Sequence, residues 1–221
     1  MSLKVFAQRL AAIAGTLAVV AWILAGEAWA NPINIVAMGD SDTEGKGSLG
    51  ESYPGQLESI LRQRGKNVKV SNAGKAGQTS KQGMLHLDAF APAGTSIAIL
   101  QFGTSDIKVN ISPEQIYANL SSMIDALRAR GVSVLVIGAR PPARQQIPSG
   151  YNMEEYRNTF SRLNAEKKAP IHRFSMNLPS PSDAGANKYY LSDGHLNAAG
   201  NAVLAEGIAA KIEEMLTRSG K

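Results

Sequence analysis

The sequence predicts an α/β domain built on a parallel sheet covered by helices on both faces. Three observations lead there. Short β-branched and apolar runs alternate with longer amphipathic segments, which is the pattern of strands joined by helical crossovers. Ile97–Phe102 is an apolar run interrupted only by Gln101, as expected for a strand buried on both faces. The helical segments carry start and stop signals at their ends: Ser, Asn or Pro at the beginnings, Gly at several ends.

Each element follows from local chemistry. Ile33–Met38 reads as the first strand and ends at the Gly39 turn. Pro54 sits at a first helical position, and the helix runs through Gln56–Arg64 to a stop at Gly65. Val68–Ala73 is the second strand, followed by a weaker helical stretch over Ser80–Phe90. Ser112-Pro113-Glu114-Gln115 has the form of a capping box and opens a helix to Arg130, ending at Gly131. Val132–Ile137 is the fourth strand. Asn152-Met153-Glu154-Glu155 reads as a second capping box leading a helix to about Lys168. Ile171–Phe174 is a short fifth strand, and Asn197 caps a last helix from Ala198 to about Arg218. Ser175–Leu196 is a long irregular piece, and such loops are commonly functional.

The first thirty residues stand apart from this pattern. Lys4 and Arg9 form a positive start, Leu10–Ala25 an apolar stretch, and Ala28-Trp29-Ala30 a small-x-small cleavage site, the layout of an export signal. The apolar stretch is shorter than the ~20 residues of a membrane-spanning helix. The expectation is a signal peptide at 1–30, cleaved after Ala30, and a single domain over 31–221 with no stable membrane span. The protein would then be exported, to the periplasm or the medium. The chain of 221 residues holds no Cys, which excludes disulfides, thiolate metal sites and a lipoprotein anchor. Without Lys4, Arg9 and Glu27 the balance is 21 basic to 17 acidic residues, a net of +4. Lys167-Lys168 is the only adjacent basic pair, and no basic stripe with interleaved aromatics exists, so nucleic acid is not an expected partner.

Several motif-like strings carry no chemistry. Gly45-Lys46-Gly47-Ser48-Leu49-Gly50 spells GxGxxG, but it neither follows a strand at once nor opens a helix, as a dinucleotide cradle must. It reads as a loop. A phosphate-binding Walker loop fails as well, because Gly47 stands where Ser or Thr would hold magnesium. His86 and His172 lack metal-ligand spacing and read as surface or structural residues. No metal or other cofactor is expected.

What remains is a set of polar residues at strand ends, which in a parallel sheet converge on one edge. Ser41 follows the first strand, Gly74–Thr79 the second and Gly103-Thr104-Ser105-Asp106 the third, while Asp193-Gly194-His195 precedes the last helix. Acyl transfer needs a nucleophile, a base, a group that orients the base, and donors for the oxyanion. Ser41, His195 and Asp193 fill the first three roles. The backbone N–H groups of Ser41 and Gly77 supply donors, since glycine permits close backbone approach.

With these residues in place the chain resembles the SGNH, or GDSL, hydrolases over essentially its whole length after the leader. Gly39-Asp40-Ser41 matches the nucleophile block, and Gly77 within Asn72–Ser80 matches the oxyanion glycine. Phe102–Ile107 matches the third block, and Ser192–Gly200 the block that holds the base His195 and its partner Asp193. The layout is most similar to the exported lysophospholipase/thioesterase I and arylesterase branch. The resemblance implies a flavodoxin-like three-layer α/β/α sandwich with a five-stranded parallel sheet, no metal, and ester or thioester hydrolysis through an acyl-serine. Two departures stand out. Ser105 occupies the position of the family's Asn, so the oxyanion set would be Ser41, Gly77 and Ser105. Only Gly194 separates Asp193 from His195, where the family has two residues. Together they predict a reduced rate, since one lost oxyanion donor costs ~10²–10³ and a lost orienting carboxylate up to ~10⁴.

Arg140 and Arg144 flank Pro141-Pro142 after the fourth strand and are expected to wall the substrate pocket. The expected partner is a small-molecule, lipid or glycan ester. Two other readings compete: a polysaccharide O-acetyl esterase, and a binding module that kept the fold and lost the chemistry.

Overall fold

A computed structural model describes residues 31–140, 152–181 and 183–218. The expected leader at 1–30 and the Arg144 segment lie outside the described residues. From Ile33 onward the chain forms one unit, a sheet of five parallel strands in the order β2-β1-β3-β4-β5. The strands are β1 (Ile33–Gly39), β2 (Val68–Gly74), β3 (Ile97–Gln101), β4 (Ser133–Ile137) and β5 (Ile171–His172). That order is the flavodoxin-like one, which reverses between β1 and β3.

Side chains alternate across the sheet with period two, and each face has its own core. Ile35, Ala37, Ile97, Ile99, Leu135 and Ile137 meet the helices α2 (Tyr53–Gln63) and α8 (Ala198–Arg218) through Leu57, Leu61, Leu204 and Ile208. Val36, Met38, Ala98, Leu100, Val134 and Val136 meet α6 (Pro113–Ala129) and α7 (Met153–Lys167) through Leu120, Ile124 and Leu163. Every residue of β3 is buried, as its apolar run requires. No described helix is long and apolar enough to cross a membrane.

The structure differs from expectation at instructive places. Ser41–Glu44 and Thr104–Lys108 form one-turn helices, α1 and α5, where the sequence reads as plain strand-end loops. The Ser80–Phe90 stretch splits at His86 into α3 (Ser80–Leu85) and α4 (Leu87–Phe90). Ser112 accepts the Gln115 N–H, but the Gln115 side chain turns to Asn119 instead of back to the cap. Asn152 bonds Glu154 N–H. The complete capping box is at Thr79 and Gln82, and it fixes the segment carrying Gly77. Only Ile171 and His172 pair in β5, opposite Val136 and Ile137. Asn197 caps α8 as expected, accepting the Gly200 N–H at 3.0 Å.

His172 is 1% exposed, and neither ring nitrogen has a partner among the described residues. Its ring lies against α8 so closely that a Cβ on Gly207 would stand 2.4 Å from Cε1. Burial, and secondarily the Lys211 charge, pull its pKa down from 6.5 to about 4. The folded state therefore favours the neutral ring, and the unfolded chain takes up the proton first as pH falls. Stability from this group is full above pH 6.5 and lost on descending to about 4, on the order of 2–3 kcal/mol. Urea titrations between pH 7 and 4 should show a steeper loss for the native protein than for His172→Leu. Equal slopes would contradict this reading.

Candidate active site

The site is assembled where the strands end. Ser41 opens α1 directly after β1, and this position demands small backbone at two points. A Cβ on Gly39 would stand 2.2 Å from Thr43 Oγ1 and 2.4 Å from the Gln101 carbonyl oxygen. A Cβ on Gly74, at the end of β2, would stand 2.3 Å from the Glu44 nitrogen. Glycine at both positions lets α1 settle onto the sheet edge. The Thr43 hydroxyl then donates to Gln101 Oε1 at 2.8 Å, and the Asn72 amide donates to the Thr43 carbonyl at 2.9 Å.

Ser41 Oγ lies 2.9 Å from His195 Nε2, although 154 positions separate them in the chain. Both residues are largely buried, at 7% and 6% exposure. On the other side of the ring, Asp193 Oδ2 is 2.9 Å from His195 Nδ1. That contact is short but lies off the N–H direction, so Nδ1 lacks an aligned acceptor. The reason is local. Asp193 Oδ1 accepts the His195 backbone N–H at 3.1 Å, a side-chain bond to the residue two positions on, while Gly194 turns through φ +82. With one intervening residue the carboxylate meets its own turn first and the ring second. The electrostatic attraction has no such directional demand. Burial tends to raise the Asp193 pKa, but the His195 backbone N–H, the nearby imidazole and Lys46 outweigh it, and the net direction is downward. Lys46 stands 3.8 Å away on the Gly45–Gly50 loop, which is a series of turns.

The Ser41 and Gly77 N–H groups have no acceptor among the described residues. Gly77 has φ +78, and a Cβ there would meet nothing within 4 Å. The turn conformation, not a close approach by neighbouring protein atoms, is what calls for glycine at this position. A groove of about 320 Å³ adjoins it, lined by Lys75, Gly77, Gln78, Gln82, His86 and Phe90. The larger cavity, about 640 Å³, lies by Ser133 and Ile171, at the start of β4 and β5 and away from the Ser41 edge. Among the described residues no cluster of His, Asp or Glu could hold a metal ion.

Two residues expected at the site, Ser105 and Arg140, have protein partners of their own. The Ser105 N–H and hydroxyl point to Asp40 Oδ2, at 3.3 and 3.4 Å, so the hydroxyl is not free as a third oxyanion donor. Asp40 is buried and needs those donors. Burial, followed by the nearby Asp42 charge, pushes its carboxyl up to about 7 against the pull of the Asp42 N–H, Arg140 and Ser105. Arg140 is 4% exposed. Its Nε donates to both oxygens of Asp42 at 3.0 Å, a partner the sequence reading missed. An acidic residue directly after the Ser41 turn and an arginine directly after β4 are the signal that could have paired them. Asp106 was also overlooked: it accepts the Ser80 N–H at 3.0 Å and the Ser80 hydroxyl at 2.6 Å, while Asn119 donates to Ser80 Oγ at 2.9 Å. Burial raises the Asp106 pKa, opposed by these Ser80 donors.

A family model described as the GDSL-like Lipase/Acylhydrolase family matches residues 37–203. The chain belongs to that family. It is 28% identical over 167 residues to the esterase TesA of Pseudomonas aeruginosa, covering 73% of this chain and 78% of the relative. An arylesterase of Vibrio mimicus is 27% identical over 110 residues, 49% of this chain and 55% of that one. A solved TesA structure superposes with a TM-score of 0.71 at 23% identity, over 83% of this chain and 99% of the other. The fold is thus that of the SGNH hydrolases, and the protein is a serine ester hydrolase of that family.

Proposed function

We propose that the protein hydrolyses small carboxylic esters or thioesters through an acyl-serine on Ser41, and that it does so after export. The observation that carries the reading is the 2.9 Å approach of Ser41 Oγ to His195 Nε2, since a serine acts as a nucleophile only with a base in reach. His195 Nε2 takes the Ser41 proton as Oγ bonds to the ester carbon, and the carbonyl electron pair moves onto its oxygen. The N–H groups of Ser41 and Gly77 face that oxygen, which is where fixed donors lower the barrier. Collapse expels the alcohol or thiol, which receives the proton from His195. Water then attacks the acyl carbon, giving its proton to His195, and the acid leaves with Ser41 restored. Asp193 holds the imidazole by charge more than by direction, and Ser105 serves Asp40. The groove beside Gly77 supplies room for one arm of a small ester, with Phe90 as an apolar wall and Lys75 at its rim. The layout of residues 1–30 supports export with cleavage after Ala30, to the periplasm or the medium.

A fluorophosphonate should label Ser41, as read by peptide mass spectrometry, and His195→Ala should abolish the label. Asp193→Ala should slow ester turnover by less than the ~10⁴ that an aligned triad carboxylate commands. A folded protein that takes no label, or takes it on Ser105, would sink the mechanism. For export, N-terminal sequencing of protein recovered outside the cytoplasm should begin at Asn31, and an intact Met1 there would refute cleavage.

A further inference from the structure

Arg140 bonds two of the loops that meet at the site and borders a third. Its guanidinium Nε bonds both oxygens of Asp42 at 3.0 Å, and the side chains of this pair are 5% and 1% exposed. Its carbonyl oxygen accepts the Thr104 hydroxyl at 2.9 Å. Its Nη1 lies 3.4 Å from the point where a Cβ of Gly194 would stand. Each partner is the chain neighbour of a residue at the site: Asp42 of Ser41, Thr104 of Ser105, Gly194 of both Asp193 and His195.

We propose that Arg140 is a positioning residue that, through Asp42 and against Gly194, holds Ser41 and His195 at reacting distance. This rests on the serine-esterase reading above. The one-residue link between Asp193 and His195 spends part of the Asp193 carboxylate on its own turn, so the loop is oriented weakly from that side. The Arg140 guanidinium borders the Gly194 turn on the other, with Nη1 3.4 Å from where a Cβ would stand. The Asp42 carboxylate fixes the guanidinium, because both of its oxygens share the Arg140 Nε–H in a buried, charge-assisted hydrogen bond, and a lysine would not reproduce the planar group. Nothing in this arrangement calls for contact between Arg140 and the ester. Its loss should therefore lower kcat and leave KM nearly unchanged, since a displacement of ~1 Å remote from the chemistry can cost ~10² in rate.

The test is made on the full chain with p-nitrophenyl acetate and the fluorophosphonate. Asp42→Leu combined with Arg140→Met replaces the buried pair by apolar side chains, an exchange that is often neutral for stability. The double variant should keep a native-like thermal midpoint, lose ~10–10² in kcat and in labelling rate, and shift KM by less than about threefold. If it fails to fold, Arg140→Lys takes its place, with a folded protein and a ~10-fold lower kcat expected. Guanidinium chloride at sub-denaturing concentration should restore part of the rate of Arg140→Ala. A folded double variant or Arg140→Lys with native kcat would overturn the proposal. So would a loss confined to KM, which would mean that Arg140 touches substrate. A native protein that neither turns over nor takes label would defeat the esterase reading itself, a failure distinct from these.

Discussion

Carboxylates taken out of water must be met by donors, and that constraint organises the carboxyl edge of this sheet. Leaving such a group unpaired costs several kcal/mol. Asp40, after β1, takes donors from Ser105 after β3. Asp42, also after β1, takes Arg140 after β4. Asp106, after β3, takes Ser80 after β2. Three buried acids thus cross-link the loops of four strands. The turn that carries Ser41 is the hub, because two of the three acids sit on it.

A frame of this kind explains how a short and poorly directed Asp–His contact coexists with a well-formed Ser–His one. The imidazole is placed by its loop as well as by its carboxylate, through the Asp193 bond to the His195 N–H and the Gly194 turn. The same frame accounts for Ser105. A serine in that position is close enough to its own backbone to meet Asp40 with both its N–H and its hydroxyl, so the residue joins the scaffold.

Much of this was legible in the chain. Apolar runs bounded by turn residues mark most of the strands, and convergence of strand ends alone brings Ser41, Gly77 and the Asp193-Gly194-His195 turn to one edge. The one-turn helices α1 and α5 were not legible, because four or five residues carry no periodicity and their helicity is imposed by tertiary contacts such as Thr43 to Gln101. The break at His86 left no stronger signal. The burial of Arg140 was not legible for a physical reason: an arginine beside two prolines is ordinarily solvated, and its partner Asp42 is distant in sequence. Asp40 and Asp42, read as part of a motif string, gave no hint of which loops they would bind.

The central claim is that His195 stands ready to take the Ser41 proton, and its tautomer tests that most directly. Nitrogen-15 NMR of the imidazole near neutral pH should show Nε2 unprotonated toward Ser41 and the proton on Nδ1 toward Asp193. The opposite tautomer, with the proton on Nε2, would leave Ser41 without a base and contradict the account.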